Sequence, residues 1–256
     1  MPTCTFTILG SSSGMPQSNR ASAGYVLKVN GRLNLIDCGG GVCSSFVRQG
    51  FDPLAIERIF ISHTHSDHVC ELPLVIQMVY LAGQTDNLDI YVPSEFVKPL
   101  RNYLTAVYLI KEKLPFTVDI IEYEDGFSFS NEFKLTAIGN QHLRGYVDLI
   151  RELKLPNKMQ CHSFLIEING KTLFYSSDVF NFDDVKRHLD GKDYVVLELT
   201  HIDLDEFFEF TPTIKVGQYV ITHLGTAEEV AEIEQYARKT GLVNMVTAVD
   251  GMELAL

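Results

Sequence analysis

The chain alternates short apolar runs with stretches of helical periodicity. Apolar runs bounded by glycine, asparagine or histidine predict strands over residues 5–9, 25–29, 33–36, 58–61, 88–92, 161–168, 171–175, 194–199 and 219–223. Helical spacing that stops at a glycine predicts helices over residues 42–48 and 72–81, and a third that begins at Thr226. Strands alternating with helices indicate an α/β protein. No linker or repeat interrupts the pattern, so we expect one domain over residues 1–256.

Two asparagine–glycine pairs mark the sharpest turns. Asn30-Gly31 and Asn169-Gly170 each stand between two apolar runs, which predicts two tight hairpins.

The stretch at residues 96–107 has apolar residues at helical spacing. We expect that stripe to face the core: Phe96, Leu100, Tyr103, Leu104 and Val107.

A dense group of metal-binding side chains follows the run at residues 58–61. His63 and His65 alternate along an extended chain, so both side chains can point toward one ion. Asp67 and His68 follow in what we expect to be a loop, where they can turn toward a second ion. Imidazole and carboxylate are ligands for zinc, manganese and iron. The pattern therefore predicts a metal site at the end of a strand.

The motif His-x-His-x-Asp-His resembles the signature of the metallo-β-lactamase-fold hydrolases. This resemblance implies an α/β fold in which two mixed β-sheets, flanked by helices, form an αββα sandwich. It also implies three further ligands at later strand ends, and the residues that match are His142, Asp178 and His223. Asp37, which ends another apolar run before a glycine run, is a candidate to hydrogen-bond near the ligands.

The resemblance also assigns the ligands to two divalent ions, with zinc as first choice and manganese or iron as alternatives. One ion takes His63, His65 and His142; the other takes Asp67, His68 and His223; Asp178 bridges them. Two ions held this way can bind a hydroxide between them, which acts as the nucleophile. Asp67 is thus counted as both a ligand and a catalytic residue.

Within this superfamily the chain is most similar in pattern to ribonuclease Z and related phosphodiesterases. Ser176-Ser177-Asp178 resembles the family's Ser-Gly-Asp, with Ser177 in place of the glycine. Where ribonuclease Z has His-Glu-Ala-Thr, this chain has Leu-Glu-Leu-Thr at residues 197–200, so the histidine is replaced by leucine. His201, just past that strand, is our candidate for the missing proton donor, and His162 is its rival.

These features predict a binuclear phosphodiesterase for a small or cyclic phosphodiester. The alternatives are a ribonuclease Z-like RNA endonuclease, a hydrolase of thioesters, lactones or β-lactams, and a metal-binding protein without activity. The glycine-rich arm that often holds tRNA in ribonuclease Z has no counterpart here. An aspartate at 178, where β-lactam hydrolases commonly have cysteine, puts β-lactams last.

Composition and charge limit the class of protein, its partners and its compartment. Hydrophobic residues make up 46% and charged residues 21%, which is ordinary for a globular protein. The formal net charge of −12 argues against a broad nucleic-acid surface, although it does not exclude nucleic acid. No apolar run reaches the roughly 20 residues of a membrane helix. An odd number of cysteines and a start without signal-peptide features favour the cytoplasm.

Three questions stay open at this level. The loop at residues 10–16, rich in serine and glycine, is either an anion-binding loop or a plain turn. The locally basic segment at residues 143–160 is either a lid or a solvated surface helix. A homodimer is neither required nor excluded.

Overall fold

The computed structural model describes residues 4–256, which form two compact units. The first unit contains the described residues up to Glu124 together with Val249–Leu256, and the second is Asp125–Ala248. The single domain expected over residues 1–256 therefore stays a prediction. Residues 1–3, part of the start that we read as lacking a signal peptide, lie outside the described residues.

The described residues form fourteen strands and seven α-helices. The strands are β1 (Thr5–Gly10), β2 (Gly24–Val29), β3 (Arg32–Cys38), β4 (Ile56–Phe60), β5 (Leu88–Pro93), β6 (Val118–Tyr123), β7 (Ser128–Ser130), β8 (Lys134–Asn140), β9 (Cys161–Ile168), β10 (Lys171–Tyr175), β11 (Lys192–Glu198), β12 (Val216–Thr222), β13 (Met245–Thr247) and β14 (Glu253–Ala255). The helices are α1 (Val42–Arg48), α2 (Ser66–Val69), α3 (Leu72–Ala82), α4 (Val97–Ala106), α5 (Val147–Leu153), α6 (Leu204–Phe210) and α7 (Ala227–Thr240).

The first unit is built on a mixed seven-stranded sheet in the order β14-β1-β2-β3-β4-β5-β6. The hairpin between β2 and β3 turns at Asn30 and Gly31, whose φ angles of 52° and 83° are those of the tight turn that this pair favours. The core combines side chains of the sheet with side chains of α1, α3 and α4, such as Phe46, Val75 and Leu100. The strands β3, β4, β5 and β6 are parallel neighbours, so their carboxyl ends share one edge.

The second unit contains the other mixed seven-stranded sheet, in the order β13-β12-β11-β10-β9-β8-β7. Its core packs aromatic side chains of α6 (Phe207, Phe208) beside strand residues such as Val195 and Tyr219. The helix α7 begins with a capping box, in which Thr226 and Glu229 exchange side-chain to backbone hydrogen bonds. The fold-class prediction of two mixed sheets with helices is therefore confirmed.

One expectation from the pattern was partly wrong. In the stripe expected to be core on α4, Leu100 and Leu104 are buried, but Tyr103 is 48% and Val107 40% exposed. The buried face of this helix is narrow, because it consists of Leu100 and Leu104, one turn apart, and Val107 lies past the helix end at Ala106. The region 143–160 contains α5, none of whose residues is buried, as expected for a solvated helix. Within residues 4–256, no helix has the length and apolar character needed to span a bilayer.

Candidate metal centre and active site

In the first unit, the adjacent strands β3 and β4 bring Asp37 close to Ser62. The two strands are parallel, and the chain continues past the end of β4 into Ile61, Ser62 and His63. Asp37 Oδ1 accepts a hydrogen bond from the Ser62 backbone N–H at 2.8 Å, and Asp37 Oδ2 accepts one from the Ser62 hydroxyl at 2.8 Å. These two hydrogen bonds hold the chain that leads from β4 into the histidines against the end of β3.

Asp37 also orients His68, which makes specific the predicted hydrogen bonding near the candidate ligands. His68 Nδ1 donates to Asp37 Oδ2 at 2.9 Å, and both side chains are buried. Asp37 has a φ of 58°, a left-handed conformation that aspartate and asparagine tolerate better than most residues. A carboxylate that takes the Nδ1 proton turns Nε2 toward a metal and raises the basicity of the imidazole.

The four ligand-type residues of the motif lie together. The ligand atoms of His63 and His65 are within 4.8 Å of one another, and His68 Nε2 is 3.5 Å from Asp67 Oδ2. Since the Ser62 hydroxyl donates to Asp37, His63 Nδ1 donates to Ser62 Oγ at 3.1 Å, which leaves the lone pair on Nε2. One expectation is corrected: Asp67 and His68 lie in the short helix α2 rather than in a loop, because Ser66 starts a helical turn directly after His65.

The serine-rich loop after β1 forms hydrogen bonds with residues of its own unit. Ser11 donates from both its backbone N–H and its hydroxyl to Asp250 Oδ1, and the Ser12 hydroxyl donates to the Met15 carbonyl. These bonds use the Ser11 and Ser12 hydroxyls within the protein, which favours the plain turn over the anion-binding loop. A Cβ at Gly14 would lie 3.5 Å from Asp67 Oδ2, so the loop passes beside the metal-ligand motif.

In the second unit, the candidate ligands follow four strands that point the same way. The strands β10, β11 and β12 are parallel, and β8 is antiparallel to β9, which is itself antiparallel to β10. The carboxyl ends of β8, β10, β11 and β12 therefore share one edge, where open α/β sheets bind ligands. His142, Asp178, His201 and His223 all follow these ends.

Asp178 lies between two histidines of this unit. Its Oδ2 is 3.6 Å from His142 Nε2 and 3.3 Å from His223 Nε2, and all three side chains are largely buried. His142 Nδ1 donates to the Val179 carbonyl at 3.2 Å, and His223 Nδ1 is 3.4 Å from Thr200 Oγ1. Both rings thus use Nδ1 within the protein and direct Nε2 at the same carboxylate oxygen.

Two polar residues that the sequence did not single out join the loops of His142 and Asp178. Asn140 donates to the Asp178 carbonyl at 2.9 Å and accepts from the His142 backbone N–H at 3.1 Å. Asp184 Oδ2 accepts from the backbone N–H groups of Gln141 and Phe180 at 3.1 and 2.8 Å. Asn140 could have been recognised from its position at a strand end, two residues before a candidate ligand. No feature of the sequence identifies Asp184.

His201 is held beside the ligand-type histidines of this unit. Its ring centre is 5.0 Å from that of His142 and 6.2 Å from that of His223. The buried Glu198 accepts from His201 Nδ1 at 2.8 Å and from the His201 backbone N–H at 3.0 Å. Its rival His162 is buried at the start of β9, paired with Gly139 across the ladder.

The backbone of this unit is strained at the residue before Asp178 and at the candidate ligand His223. Ser177 and His223 have φ angles of 52° and 54°, in the left-handed region that favours glycine. This explains why the resembled motif has glycine at the position of Ser177: the turn after β10 needs a positive φ to direct Asp178. Strain of this kind is typical of functional sites.

Both groups of residues fit a divalent metal in their donor chemistry. Each offers imidazole nitrogen and carboxylate oxygen, the donors that zinc, manganese and iron accept. In His63, His68 and His142 the Nδ1–H is donated to the protein, so Nε2 presents its lone pair. Burial lowers the pKa of His142 below the usual histidine value, which favours the neutral, metal-binding imidazole.

Sequence comparison places the chain in a family over nearly its whole length. Residues 4–244 match the family model described as "Anti-Pycsar protein Apyc1". A ribonuclease Z of Methanococcus maripaludis is 30% identical over 228 residues, covering 82% of this chain and 72% of the relative. A ribonuclease Z of Prochlorococcus marinus is 32% identical over 170 residues, covering 65% of this chain and 49% of the relative.

Comparison with solved structures shows the fold. The metallo-β-lactamase-fold protein YhfI of Bacillus subtilis superposes with a TM-score of 0.77 at 18% identity, covering 100% of both chains. The short form of human tRNase Z gives a TM-score of 0.69 at 20% identity, covering 98% of both chains. The predicted resemblance is confirmed, and the chain is a metal-dependent hydrolase that uses divalent ions. It has the metallo-β-lactamase fold, is related to ribonuclease Z, and belongs to the anti-Pycsar protein Apyc1 family.

Proposed function

We propose that this protein is a binuclear metal-dependent phosphodiesterase that hydrolyses a small or cyclic phosphodiester. One observation carries the proposal: a single carboxylate oxygen of Asp178 lies 3.6 and 3.3 Å from the Nε2 atoms of His142 and His223. A carboxylate between two such nitrogens has the placement expected of a ligand shared by two ions. An aspartate at this position also supports a phosphodiester over a β-lactam.

The ligand assignment made from the sequence is part of the proposal. One ion is bound by His63, His65 and His142, the other by Asp67, His68 and His223, with Asp178 shared and zinc as first choice. When bound, a pair of divalent ions supplies Lewis acidity at the phosphoryl oxygens and lowers the pKa of water. Manganese and iron accept the same donors, so the preferred metal is part of the test.

The protein itself orients the ligands and supplies a proton. Asp37 fixes the direction of the His68 imidazole, and Asn140 joins the loops that carry His142 and Asp178. His201 acts as the general acid that protonates the leaving oxygen, since Glu198 holds its Nδ1–H and leaves Nε2 to carry the transferred proton. Asp67 is retained as both ligand and catalytic residue.

RNA cleavage is the second candidate, and a specific observation favours it. The curated relatives named ribonuclease Z include one at 30% identity that this chain covers over 72% of its length. Against it stand the net charge of −12 and Leu197, which is fully buried in the core where ribonuclease Z has a histidine. A small diester needs neither an extended basic surface nor an arm, which is why we place it first.

A substrate panel separates these candidates. The protein, loaded with zinc or with manganese, is assayed on a nitrophenyl phosphodiester, a 3′-extended precursor tRNA, a thioester, a lactone and a chromogenic β-lactam. We expect the highest kcat/KM on the phosphodiester and no more than a trace on the β-lactam. Efficient, site-specific cleavage of the precursor tRNA with weak turnover of small diesters would instead establish the RNA endonuclease. Preference for the thioester, lactone or β-lactam would reject both.

A further inference from the structure

An exposed aromatic ring follows a candidate ligand of the second unit by two residues. Phe180 is 43% exposed although the nearby Phe182 is fully buried. The guanidinium carbon of Arg144 lies 5.6 Å from the centre of the Phe180 ring. An exposed phenylalanine next to a cation offers one apolar face and one positive charge at the same place.

The pair is close to the candidate metal ligands along both of its loops. Arg144 follows His142 by two residues in the same 3₁₀ turn, and Phe180 follows Asp178 by two residues. The two loops meet where His142 Nδ1 donates to the Val179 carbonyl at 3.2 Å. Arg144 and Phe180 are therefore each two residues along the chain from a side chain that would contact a molecule bound at His142 and Asp178.

The pair is also fixed in place by the protein. Asp184 Oδ2 accepts from the backbone N–H groups of Phe180 and Gln141, which fixes the loop of Phe180 to the end of β8. Gln141 Oε1 in turn accepts from Arg144 Nη1 at 3.1 Å. Gln141, Arg144, Phe180 and Asp184 thus form a closed circuit of contacts that holds the Arg144 side chain over the Phe180 ring.

Arg144 is held differently from Arg151, another arginine of the same basic segment. Arg151, on the same basic segment, makes an exposed ion pair with Asp148, and pairs of that kind contribute little to stability. Arg144 instead points its planar cation over an aromatic ring, with its side chain exposed in a chain of net charge −12. An ordered guanidinium recognises phosphate oxygens well, and an exposed ring stacks on a planar group.

We propose that Arg144 and Phe180 form a substrate subsite, which we call the Arg144–Phe180 subsite, that binds a planar aromatic group on the retained, non-leaving side of the phosphodiester. Phe180 stacks on the planar group, and Arg144 contacts the edge of that group. This inference rests on the proposed phosphodiesterase activity and adds the residues that determine substrate preference.

Two substrates with the same leaving group test the subsite. One is the methyl ester of p-nitrophenyl phosphate, and the other is the thymidine 5′ ester of p-nitrophenyl phosphate. Both release nitrophenolate and carry one negative charge, and they differ in the retained group, methyl against thymidine, so their kcat/KM ratio reports binding of the nucleoside. The variants are Phe180→Leu, which keeps volume without an aromatic face, Phe180→Tyr, which keeps the face, Arg144→Ala, and the matched control Arg151→Ala. Thymidine 5′-methyl phosphate, titrated by calorimetry, gives a readout of binding alone.

We expect Phe180→Leu and Arg144→Ala to lower kcat/KM for the thymidine ester about tenfold to a hundredfold, with a change of less than about threefold for the methyl ester. Phe180→Tyr and Arg151→Ala should stay near wild type, and calorimetry should show the same order. Equal effects on both esters, or none on either, would overturn the subsite while leaving the phosphodiesterase proposal intact. A wild-type protein that turns over neither ester would reject the proposed function, and the subsite with it.

Discussion

The two units hold their metal-binding residues in different ways. In the first unit, four ligand-type residues occupy six consecutive positions, from His63 to His68, and a single carboxylate, Asp37, fixes the strand end and one of the rings. In the second, His142, Asp178 and His223 come from three separate strand ends, and several polar groups tie the loops together: Asn140, Asp184, Glu198 and Thr200.

This difference determines how each set responds to change. The compact motif on one strand end depends on a few local contacts, so it is most sensitive to a change at Asp37, the residue that orients it. A dispersed set depends on the common direction of its strands and on cross-loop hydrogen bonds. Its most sensitive residue is therefore Asp178, which both dispersed histidines face.

The largest effect is expected for Asp178→Ala. This change removes the carboxylate that faces both His142 and His223, and we expect loss of detectable turnover with the fold retained. Circular dichroism checks the fold, and the metal content measured alongside should fall below that of the wild type. Asp183→Ala, which removes an exposed aspartate paired with Lys186 on the same segment, is the matched control. Wild-type turnover by Asp178→Ala would remove that residue from the site.

A smaller but selective effect is expected for His201→Ala. A positioned general acid contributes about 10²–10⁴-fold when the leaving group needs a proton. The variant should therefore slow an alkyl phosphodiester by about that factor and a nitrophenyl diester far less, because nitrophenolate leaves without protonation. Metal content should be unchanged. His162→Ala tests the rival, and we expect it not to discriminate between the two leaving groups. Equal, small losses for both substrates in His201→Ala would remove His201 from the mechanism.

Asp37→Asn probes the compact set. Asparagine tolerates the positive φ of residue 37, so the backbone is retained while the charge that accepts from His68 Nδ1 is lost. Loss of such a partner typically costs about 10- to 100-fold in metal affinity. Competition with a chromogenic chelator measures this change. Asp119→Asn, an exposed aspartate on β6, is the control and should bind metal as the wild type does. Unchanged affinity in Asp37→Asn would show that the His68 contact does not support metal binding.

The smallest effect concerns the strained turn before Asp178. Ser177→Gly and Ser177→Ala both remove the hydroxyl, and they differ only in the Cβ at a φ of 52°. We expect the glycine variant to be more stable than the alanine variant by about 0.5–1 kcal/mol. This is the difference between the strain that alanine suffers in the left-handed conformation and the conformational entropy that glycine loses on folding. Urea unfolding at equal m values measures the difference. An alanine variant at least as stable as the glycine variant would show that the turn is not strained there.

The compact set was open to prediction because its residues are adjacent in sequence, and strand alternation alone directs His63 and His65 to one side. The hairpins at Asn30-Gly31 and Asn169-Gly170 were equally local and are confirmed. His142, Asp178 and His223 were selected from the family resemblance, since nothing local distinguishes a histidine after β8 from any other. Asp184 could not be predicted, because its two backbone partners come from loops brought together only by folding. Tyr103 was misassigned because helical spacing does not reveal how narrow the buried face of the helix is.

The central claim, that the compact and the dispersed sets together bind two divalent ions, is tested most directly by metal stoichiometry. The protein is loaded with zinc or manganese, freed of excess by gel filtration without chelator, and analysed for metal against protein concentration from amino-acid analysis. The account predicts close to two equivalents per chain. A consistent value near zero after loading with either metal would contradict it, and a value near one would show that only one of the two proposed ion sites is filled.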